Sequence, residues 1–172
     1  TYDASNVENV LAASSNSTDS SELLNRATQT LYGPGSTFKI VTLTAALEDG
    51  VATPTSRYDS PAEMDIGNAK VTNYNKTGYG NITLAEAFKV SSNTVFGQVG
   101  VQLGANSLVD ASQAFGFNKT FKFDLPLLMS LMPDPQQMTT WETAWSADGV
   151  PVGEHSSPAG PQTTVLEMAL VG

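Results

Sequence analysis

The stretch YGPGSTFKIVTLTAAL, residues 32–47, places a tight turn directly before an apolar segment. The Gly-Pro-Gly turn ends at Ser36, and Gly50 follows the apolar run at a position where glycine commonly ends a helix. Apolar side chains occupy most faces of the predicted helix, which indicates that it is buried. We therefore expect a buried helix whose first turn carries Ser36 and Lys39.

Ser36 and Lys39 are three residues apart, which places both on one face of a helix within one turn. Burial disfavours the charged form of a lysine, so its pKa falls and its amine can take the proton of a serine hydroxyl. The free N–H groups at a helix N-terminus also suit a developing oxyanion. A helix-capping serine beside a solvated lysine gives the same S-x-x-K pattern, so the spacing alone leaves both interpretations open.

The composition limits the chemistry available to the chain. Its 172 residues fit one domain, and 17 acidic against 8 basic residues argue against nucleic acid as a partner. The chain has no cysteine and His155 is its single histidine, which excludes thiolate nucleophiles, disulfides and multi-histidine metal sites. Because no apolar run reaches the ~20 residues that a transmembrane helix needs, we expect any membrane anchor outside this chain.

Helices and loops dominate the predicted structure of the first half. Residues 1–20 are rich in Ser, Asn and Asp, and we expect a loop-rich, flexible segment with at most one helical turn. A short helix is predicted from 22 to about 31. Residues 51–81 are predicted to form an irregular loop with short strands near 64–66 and 69–73. Alternation with period two is otherwise almost absent, which favours a mainly α chain.

Capping signals and glycines mark the helices of the second half. The pattern T-x-x-E at Thr83, and again at Thr164, predicts a capping box at a helix start. The predicted elements, in chain order, are a short helix after Thr83, a corner at Ser91-Ser92-Asn93, a helix over 94–103 ended by Gly104, a helix ending before Gly116, a helical turn holding Trp141 and Trp145, and a terminal helix over 165–171. Residues 117–162 are otherwise predicted to be loop-rich.

Two motifs and their flanks resemble those of the penicillin-binding proteins, the transpeptidases that cross-link peptidoglycan. Residues 25–41, NRATQTLYGPGSTFKIV, are similar to the active-serine segment of this family. Ser91-Ser92-Asn93 is a variant of the family's S-x-N motif, in the expected order after S-x-x-K, and the preceding ITLAEAF, residues 82–88, also looks like the family. The residues of these motifs and flanks are more similar to those of the monofunctional, class B-like transpeptidases than to those of other members of the serine acyl-transferase and β-lactamase-like superfamily.

The resemblance implies a role for each motif residue. Ser36 is the acylated nucleophile and Lys39 is its base. Ser91 relays a proton to the leaving amine, while Asn93 orients Lys39 and holds the peptide backbone of the substrate. Three flanking residues are predicted to contact the substrate: Gly35, Ser92 and Thr94. Ser91 and Asn93 can alternatively form a helix-capping pair at a corner, and both roles can hold at once.

The third motif of the family, K-T-G on a β-strand, is expected outside this chain. Lys76-Thr77-Gly78 spells it, but this string precedes residues 91–93 and lies in a polar loop, so we interpret it as a coincidence. Residues 157–169 resemble the segment that opens a helix upstream of the K-T-G strand, and residues 1–6 look like the segment that follows the first two sheet strands. Residues 1–172 are therefore predicted to be the helical lobe of the α/β (α+β) penicillin-binding protein transpeptidase and β-lactamase-like fold, with little or no sheet.

The resemblance implies a serine D,D-transpeptidase of cell-wall cross-linking. Its serine is acylated by D-Ala-D-Ala stem peptides and is trapped by β-lactam antibiotics. No cofactor and no metal are implied. Such a bacterial protein works outside the cytoplasm, anchored to the membrane, with elongation or division proteins as further partners. Because the K-T-G wall of the cleft is expected to be missing, the chain alone should be weakly active or inactive.

Two other functions stay open. A sensor or inactive homologue, which binds β-lactams or peptides without turnover, would keep both motifs. A secreted helical interaction domain could carry the motifs by chance. Outside the motifs, we expect His155 to be solvated or locally bonded, and Trp141 and Trp145 to serve packing.

Overall fold

The structure is a computed structural model that describes residue 5, residues 7–16 and residues 24–172. Within these residues the α-helices are α1 (Val7–Asn16), α2 (Lys39–Glu48), α3 (Leu84–Lys89), α4 (Asn93–Ala114), α5 (Thr140–Ala147) and α6 (Val165–Val171). Short 3₁₀ turns cover Gly35–Phe38, Tyr74–Lys76 and Pro135–Gln137. The strands are β1 (Arg57–Ser60), β2 (Glu63–Ile66), β3 (Ala69–Thr72) and β4 (Gly80–Thr83).

The strands form two separate antiparallel ladders, β1 with β4 and β2 with β3. The described part of the chain is thus mainly helical with little sheet, as predicted. Strands β2 and β3 confirm the pair expected near 64–66 and 69–73. Strands β1 and β4 were missed because the buried positions of β1 are Tyr58 and Ser60, and a buried serine hides the apolar alternation.

The start of the chain corrects two predictions. Residues 7–16 form helix α1, which is longer than the one turn expected and is consistent with apolar residues at helical spacing and with Glu8 in the first turn. Residues 1–4, 6 and 17–20, on which the rest of this prediction falls, lie outside the described residues. The helix expected over 22–31 is wrong where the structure describes it, since residues 24–31 form turns and irregular chain. Asn25 Oδ1 accepts a hydrogen bond from Ala27 N (3.1 Å), a local bond that competes with helix formation. Residues 22 and 23 lie outside the described residues.

Helix α4 organises the core. Its residues Val95, Phe96 and Val99 are fully buried in one cluster with Ala46 of α2 and Leu84 of α3. Although α4 is the longest helix that the structure describes, neither it nor any other described helix is long and apolar enough to cross a membrane.

Close approach of α4 and α5 brings the end of α5 next to α2. A Cβ on Gly100 would clash with the side chain of Ala147, so the absence of a side chain lets the two helices pack together. A second cluster joins Phe38 and Val41 to Leu108 of α4. Helix α4 is broken at Gly104, whose backbone is non-helical (φ 78°, ψ 160°), as the predicted end of a helix there requires.

Candidate active site

Ser36 lies in the exposed 3₁₀ turn that leads into α2. The turn covers Gly35–Phe38, so the helix that was expected to open at Ser36 becomes α-helical only at Lys39. Thr37 Oγ1 donates to the carbonyl of Pro34 (2.7 Å) and tightens this turn. The Ser36 side chain is exposed while Phe38 and Lys39 are buried. A hydroxyl open to substrate therefore lies above a buried amine.

The amine of Lys39 connects the two motifs. Lys39 Nζ lies 3.2 Å from Ser36 Oγ, 3.1 Å from Ser91 Oγ, 3.1 Å from the carbonyl oxygen of Ser91 and 2.6 Å from Asn93 Oδ1. Asn93 Nδ2 donates to the carbonyl of Thr72 (2.8 Å), which turns the amide oxygen of Asn93 toward the lysine. The structure thus brings together all four residues that the sequence singled out as catalytic.

A fifth residue, Asp148, contacts the same amine and was missed by the sequence reasoning. Asp148 Oδ1 lies 3.2 Å from Lys39 Nζ, and the side chains of both residues are buried. The ring of Phe96 covers the amine from another side, with Nζ 5.6 Å from its centroid. Asp148 directly follows α5 and precedes Gly149, a local pattern that indicates only the end of a helix.

Burial governs the ionisation of this pair. Desolvation lowers the pKa of Lys39 from its ordinary value, and the attraction of Asp148 opposes that shift. Desolvation also raises the pKa of Asp148 to about 8, against the attraction of Lys39. Burial works against the charge of each group and the partner works for it, so Lys39 gives up its proton more readily than a solvated lysine would.

The corner that carries Ser91 has an unusual backbone. Ser91 adopts a left-handed conformation (φ 54°), which is uncommon for a residue with a side chain. The N–H of Ser92 donates to the carbonyl of Ala87 (2.9 Å) and closes the end of α3 in the manner of a Schellman motif. This conformation lets both the carbonyl and the hydroxyl of Ser91 lie within 3.1 Å of Lys39 Nζ.

The side chains of Ser92 and Thr94 point into the interior, so the substrate contact predicted for these residues stays a prediction for their backbone atoms alone. Both are fully buried. Ser92 Oγ caps α4 by accepting from Val95 N (3.3 Å), and it lies 2.7 Å from Ser60 Oγ. Thr94 Oγ1 donates to the carbonyl of Pro61 (3.1 Å). Their position next to the motif suggested contact, but at this corner Ser91 and Asn93 face Lys39 while Ser92 and Thr94 face Ser60 and Pro61.

Asn73 holds this buried layer together and was also missed. Its Oδ1 accepts from Thr94 N (3.0 Å) and from Ser92 Oγ (3.3 Å) at the N-terminus of α4. Its Nδ2 donates to the carbonyls of Pro61 (3.0 Å) and Thr77 (2.9 Å). Asn73 therefore fixes the loop after β3 against the helix end that carries Ser91 and Asn93.

Gly149 joins the Asp148 segment to the turn of Ser36. The N–H of Gly35 donates to the carbonyl of Gly149 (2.9 Å). A Cβ on Gly149 (φ 77°) would collide with the carbonyl oxygen of Gly35 and with the Phe38 side chain. Gly35 itself has open space around it, and its contact with substrate stays a prediction.

The remaining sequence candidates lie as expected. Lys76-Thr77-Gly78 begins in a 3₁₀ turn and not on a strand, and the exposed Lys76 pairs at 3.9 Å with Glu63. The side chain of His155 is 68% exposed, with Nδ1 3.7 Å from Glu142 Oε1. Trp145 packs in the small cluster around Val71. These placements confirm a loop, a locally bonded histidine and a packing role for Trp145, while the packing role of Trp141 stays a prediction.

The Thr83 capping box forms as predicted, with Thr83 and Glu86 each accepting from the backbone of the other. At Thr164 only half of the predicted pattern is described: Thr164 caps α6 by accepting from Glu167 N (3.1 Å). A box at Thr139 and Glu142 starts α5 and was not predicted.

Comparison with known proteins agrees with this geometry. The sequence profile of the family "Penicillin binding protein transpeptidase domain" matches residues 1–166. The chain is 39% identical over 103 residues to the peptidoglycan D,D-transpeptidase PbpA of Mycobacterium tuberculosis, a match that covers 57% of this chain and 21% of that protein.

Solved structures show the same likeness. The D,D-transpeptidase domain of a peptidoglycan glycosyltransferase from Eggerthella lenta superposes with a TM-score of 0.90 at 52% identity, over 99% of this chain and 42% of that one. Penicillin-binding protein A from M. tuberculosis, solved as an imipenem acyl-enzyme complex, gives a TM-score of 0.80 at 26% identity, over 99% of this chain and 38% of that one.

The chain therefore spans about a fifth of the curated relative and about two fifths of the solved chains. Its fold is that of the matching part of these transpeptidase domains. With the family profile extending over nearly all of its length, the chain belongs to the family of penicillin-binding protein transpeptidase domains.

Proposed function

We propose that this chain supplies the nucleophile, base and proton relay of a peptidoglycan D,D-transpeptidase. One observation carries the proposal: the buried amine of Lys39 lies 3.2 Å from the exposed hydroxyl of Ser36 and 3.1 Å from that of Ser91. A base must lie within hydrogen-bond reach of the proton it takes. The names of the relatives, which are D,D-transpeptidases, support the reaction class.

Acylation follows from these distances. Ser36 Oγ attacks the carbonyl carbon of the peptide bond between the last two D-alanines of a stem peptide, and its proton passes to the amine of Lys39. The resulting ammonium returns a proton through the hydroxyl of Ser91 to the nitrogen of the leaving D-alanine, whose C–N bond breaks. The carbonyl carbon then forms an ester with Ser36.

Deacylation reverses the proton path. The amine of a neighbouring stem peptide attacks the ester carbon, loses a proton through Ser91 to Lys39, and forms the new peptide bond. The C–O bond to Ser36 breaks, and Ser36 Oγ recovers its proton from the lysine. A β-lactam acylates the same oxygen, and its opened ring stays attached because no separate leaving group departs.

The setting of this reaction is part of the proposal. Cross-linking takes place outside the cytoplasm of a bacterium, so we infer an extracytoplasmic site and a parent protein held at the membrane. The inferred partners are stem peptides and β-lactams, together with elongation or division proteins. The described mechanism uses hydroxyl, amine and amide groups of this chain and assigns no step to a cofactor.

Labelling with a fluorescent penicillin tests the proposal. The 172-residue chain, its Ser36→Ala variant and a longer chain that includes the K-T-G strand are compared, and the labelled peptide is mapped by mass spectrometry. We expect a label on Ser36, none in S36A, and a rate in the short chain about 10²–10³ times lower, the usual effect of losing one oxyanion donor. A longer chain that takes no label on Ser36 would contradict the proposal.

Turnover separates a transpeptidase from a homologue that only binds. The longer chain is given a D-Ala-D-Ala donor peptide and an acceptor amine, and released D-alanine is measured. We expect release that requires Ser36. Labelling by penicillin without release of D-alanine would favour the sensor interpretation.

A further inference from the structure

Asp148 lies in the interior beside Lys39. Its side chain is fully buried, and Oδ1 is 3.2 Å from Lys39 Nζ. Among the described residues neither carboxylate oxygen accepts a hydrogen bond, so the contact with Lys39 is an ion pair. A buried carboxylate usually receives several hydrogen bonds, so this one depends on a single partner.

Fold stability is a weak explanation for such a group. Burying a lysine and an aspartate removes two charges from water, and a well-packed apolar pair of similar volume is often as stable or more so. Asp148 follows α5 and its neighbour Gly149 holds the turn of Ser36, so its backbone position is fixed without help from the carboxylate. A costly side chain at a fixed position beside the base points to a function.

The lysine has more acceptors than an ammonium can satisfy with one hydrogen each. Five oxygen atoms from four residues lie between 2.6 and 3.2 Å from Nζ: Ser36 Oγ, Ser91 Oγ, the carbonyl of Ser91, Asn93 Oδ1 and Asp148 Oδ1. An ammonium donates three hydrogens. Among these acceptors Asp148 alone can carry a negative charge.

We propose that Asp148 is a positioning residue for the base: its carboxylate holds the amine of Lys39 toward Ser36 and stabilises the ammonium that forms when Lys39 takes the proton of Ser36. In this step the O–H bond of Ser36 breaks, an N–H bond forms on Lys39, and the serine oxygen bonds to the carbonyl carbon as the C=O π bond opens to an oxyanion. Asp148 forms no bond to substrate. The inference rests on the proposed function.

For Lys39 and Asp148, the charged group that shifts the pKa of each is the other. In the described residues, Asp148 is the charged group that raises the pKa of Lys39, and Lys39 is the charged group that lowers the pKa of Asp148. The other groups at the amine are hydroxyls, an amide and the ring of Phe96. Removal of the carboxylate should therefore lower the pKa of Lys39.

Nuclear magnetic resonance titration of the 172-residue chain tests the pair directly, without any acylation. The ¹³C signals of Lys39 Cε and Asp148 Cγ are followed against pH. Because the two groups interact strongly, we expect each signal to sense the ionisation of the other. In Asp148→Asn, Lys39 should titrate at lower pH than in the wild type. Independent titration of the two groups in the wild type would overturn the proposal even if the variant does not fold.

The acylation rate is then measured against pH in the longer chain with the K-T-G strand. For D148N we expect the acid limb of the profile to move to lower pH and the plateau rate to fall about tenfold or more, because the lysine becomes a weaker base. These two effects oppose each other at a single pH, so the whole profile is needed. An acid limb that stays in place would contradict the proposal.

Glu142→Gln provides the matched control. Glu142 is a buried carboxylate that accepts from the backbone of Thr139 and His155 (2.8 Å each) and is not among the contacts of Lys39. We expect E142Q to lower stability and leave the Lys39 titration unchanged. If wild-type acylation is absent while the titrations behave as expected, the proposed function fails and the pairing stands. If acylation is normal but the pKa of Lys39 is unshifted in D148N, the proposed role of Asp148 is overturned and the proposed function stands.

Discussion

At the scale of single residues, the site separates access from ionisation. Ser36 is exposed to solvent, while Lys39 is 1% exposed and Asp148 is buried beneath it. The proposed nucleophile is thus open to solvent, and the proposed base keeps the lowered pKa that burial confers. Ser91, the proposed proton relay, adds a strained backbone to this arrangement.

Replacement of Ser91 separates backbone strain from chemistry. Glycine adopts the left-handed conformation without strain, whereas alanine does not. We therefore expect the free energy of unfolding of S91G to be about 1 kcal/mol higher than that of S91A. Both variants lose the hydroxyl, and both should acylate about 10²-fold more slowly. Urea unfolding and penicillin labelling check this. Retained acylation in S91G would show that the hydroxyl relays no proton.

Replacement of Lys39 by methionine should make stability depend on pH through Asp148. Without the lysine, no other charge of the described residues opposes the burial that raises the pKa of this carboxyl above its ordinary value. The folded state then holds a proton that the unfolded state releases near pH 4, so stability falls as pH rises above about 4. The slope should approach about 1.4 kcal/mol per pH unit.

Urea unfolding of K39M at several pH values between 4.5 and 8 measures this slope. The double variant K39M/D148N keeps the volume of the pair and lacks the carboxyl. Its stability should therefore show no such slope. A flat profile in K39M itself would mean that Asp148 is not desolvated.

At the scale of elements, three segments meet at the site: the turn before α2, the corner between α3 and α4, and the residues after α5. Gly149 joins the residues after α5 to the turn before α2, since its carbonyl accepts from Gly35 N and a Cβ there would collide with Gly35 and Phe38. Asn73 joins the loop after β3 to the corner between α3 and α4.

Gly149→Ala should disturb both the fold and Ser36. The left-handed backbone (φ 77°) and the collision together should lower the free energy of unfolding by roughly 1–3 kcal/mol, and the displaced turn should slow labelling of Ser36. Gly50→Ala is the control, because Gly50 is also left-handed (φ 67°) but has open space. In G50A the free energy of unfolding should fall by about 1 kcal/mol, and Ser36 should be labelled at the normal rate. Equal behaviour of the two variants would remove the role given to Gly149.

Asn73→Ala should loosen the start of α4. It leaves Thr94 N and two carbonyls without their partner, a loss of roughly 1–3 kcal/mol, and it should lower the labelling rate through Ser91 and Asn93. The exposed Asn68 in the β2–β3 turn offers a matched change, and N68A should alter stability by no more than about 0.5 kcal/mol. Normal labelling by a folded N73A would contradict a positioning role.

At the scale of the whole molecule, local patterns predicted what depends on neighbours in sequence. The S-x-x-K spacing placed Ser36 beside Lys39, and glycines and capping boxes marked most helix ends. Asp148 and Asn73 reach the site through contacts with residues far along the chain, and neither has a local signature. Ser91 and Asn93 were found through family resemblance, because a corner of two serines and an asparagine otherwise predicts only a cap.

The central claim is that Lys39 activates Ser36 for acyl transfer. The most direct test is the penicillin labelling rate of Ser36 in the longer chain, compared with Lys39→Met, with the labelled residue identified by mass spectrometry. The account predicts a single adduct on Ser36 in the wild type and a rate at least about 10³-fold lower in folded K39M. An adduct on another residue, or an unchanged rate in K39M, would contradict it.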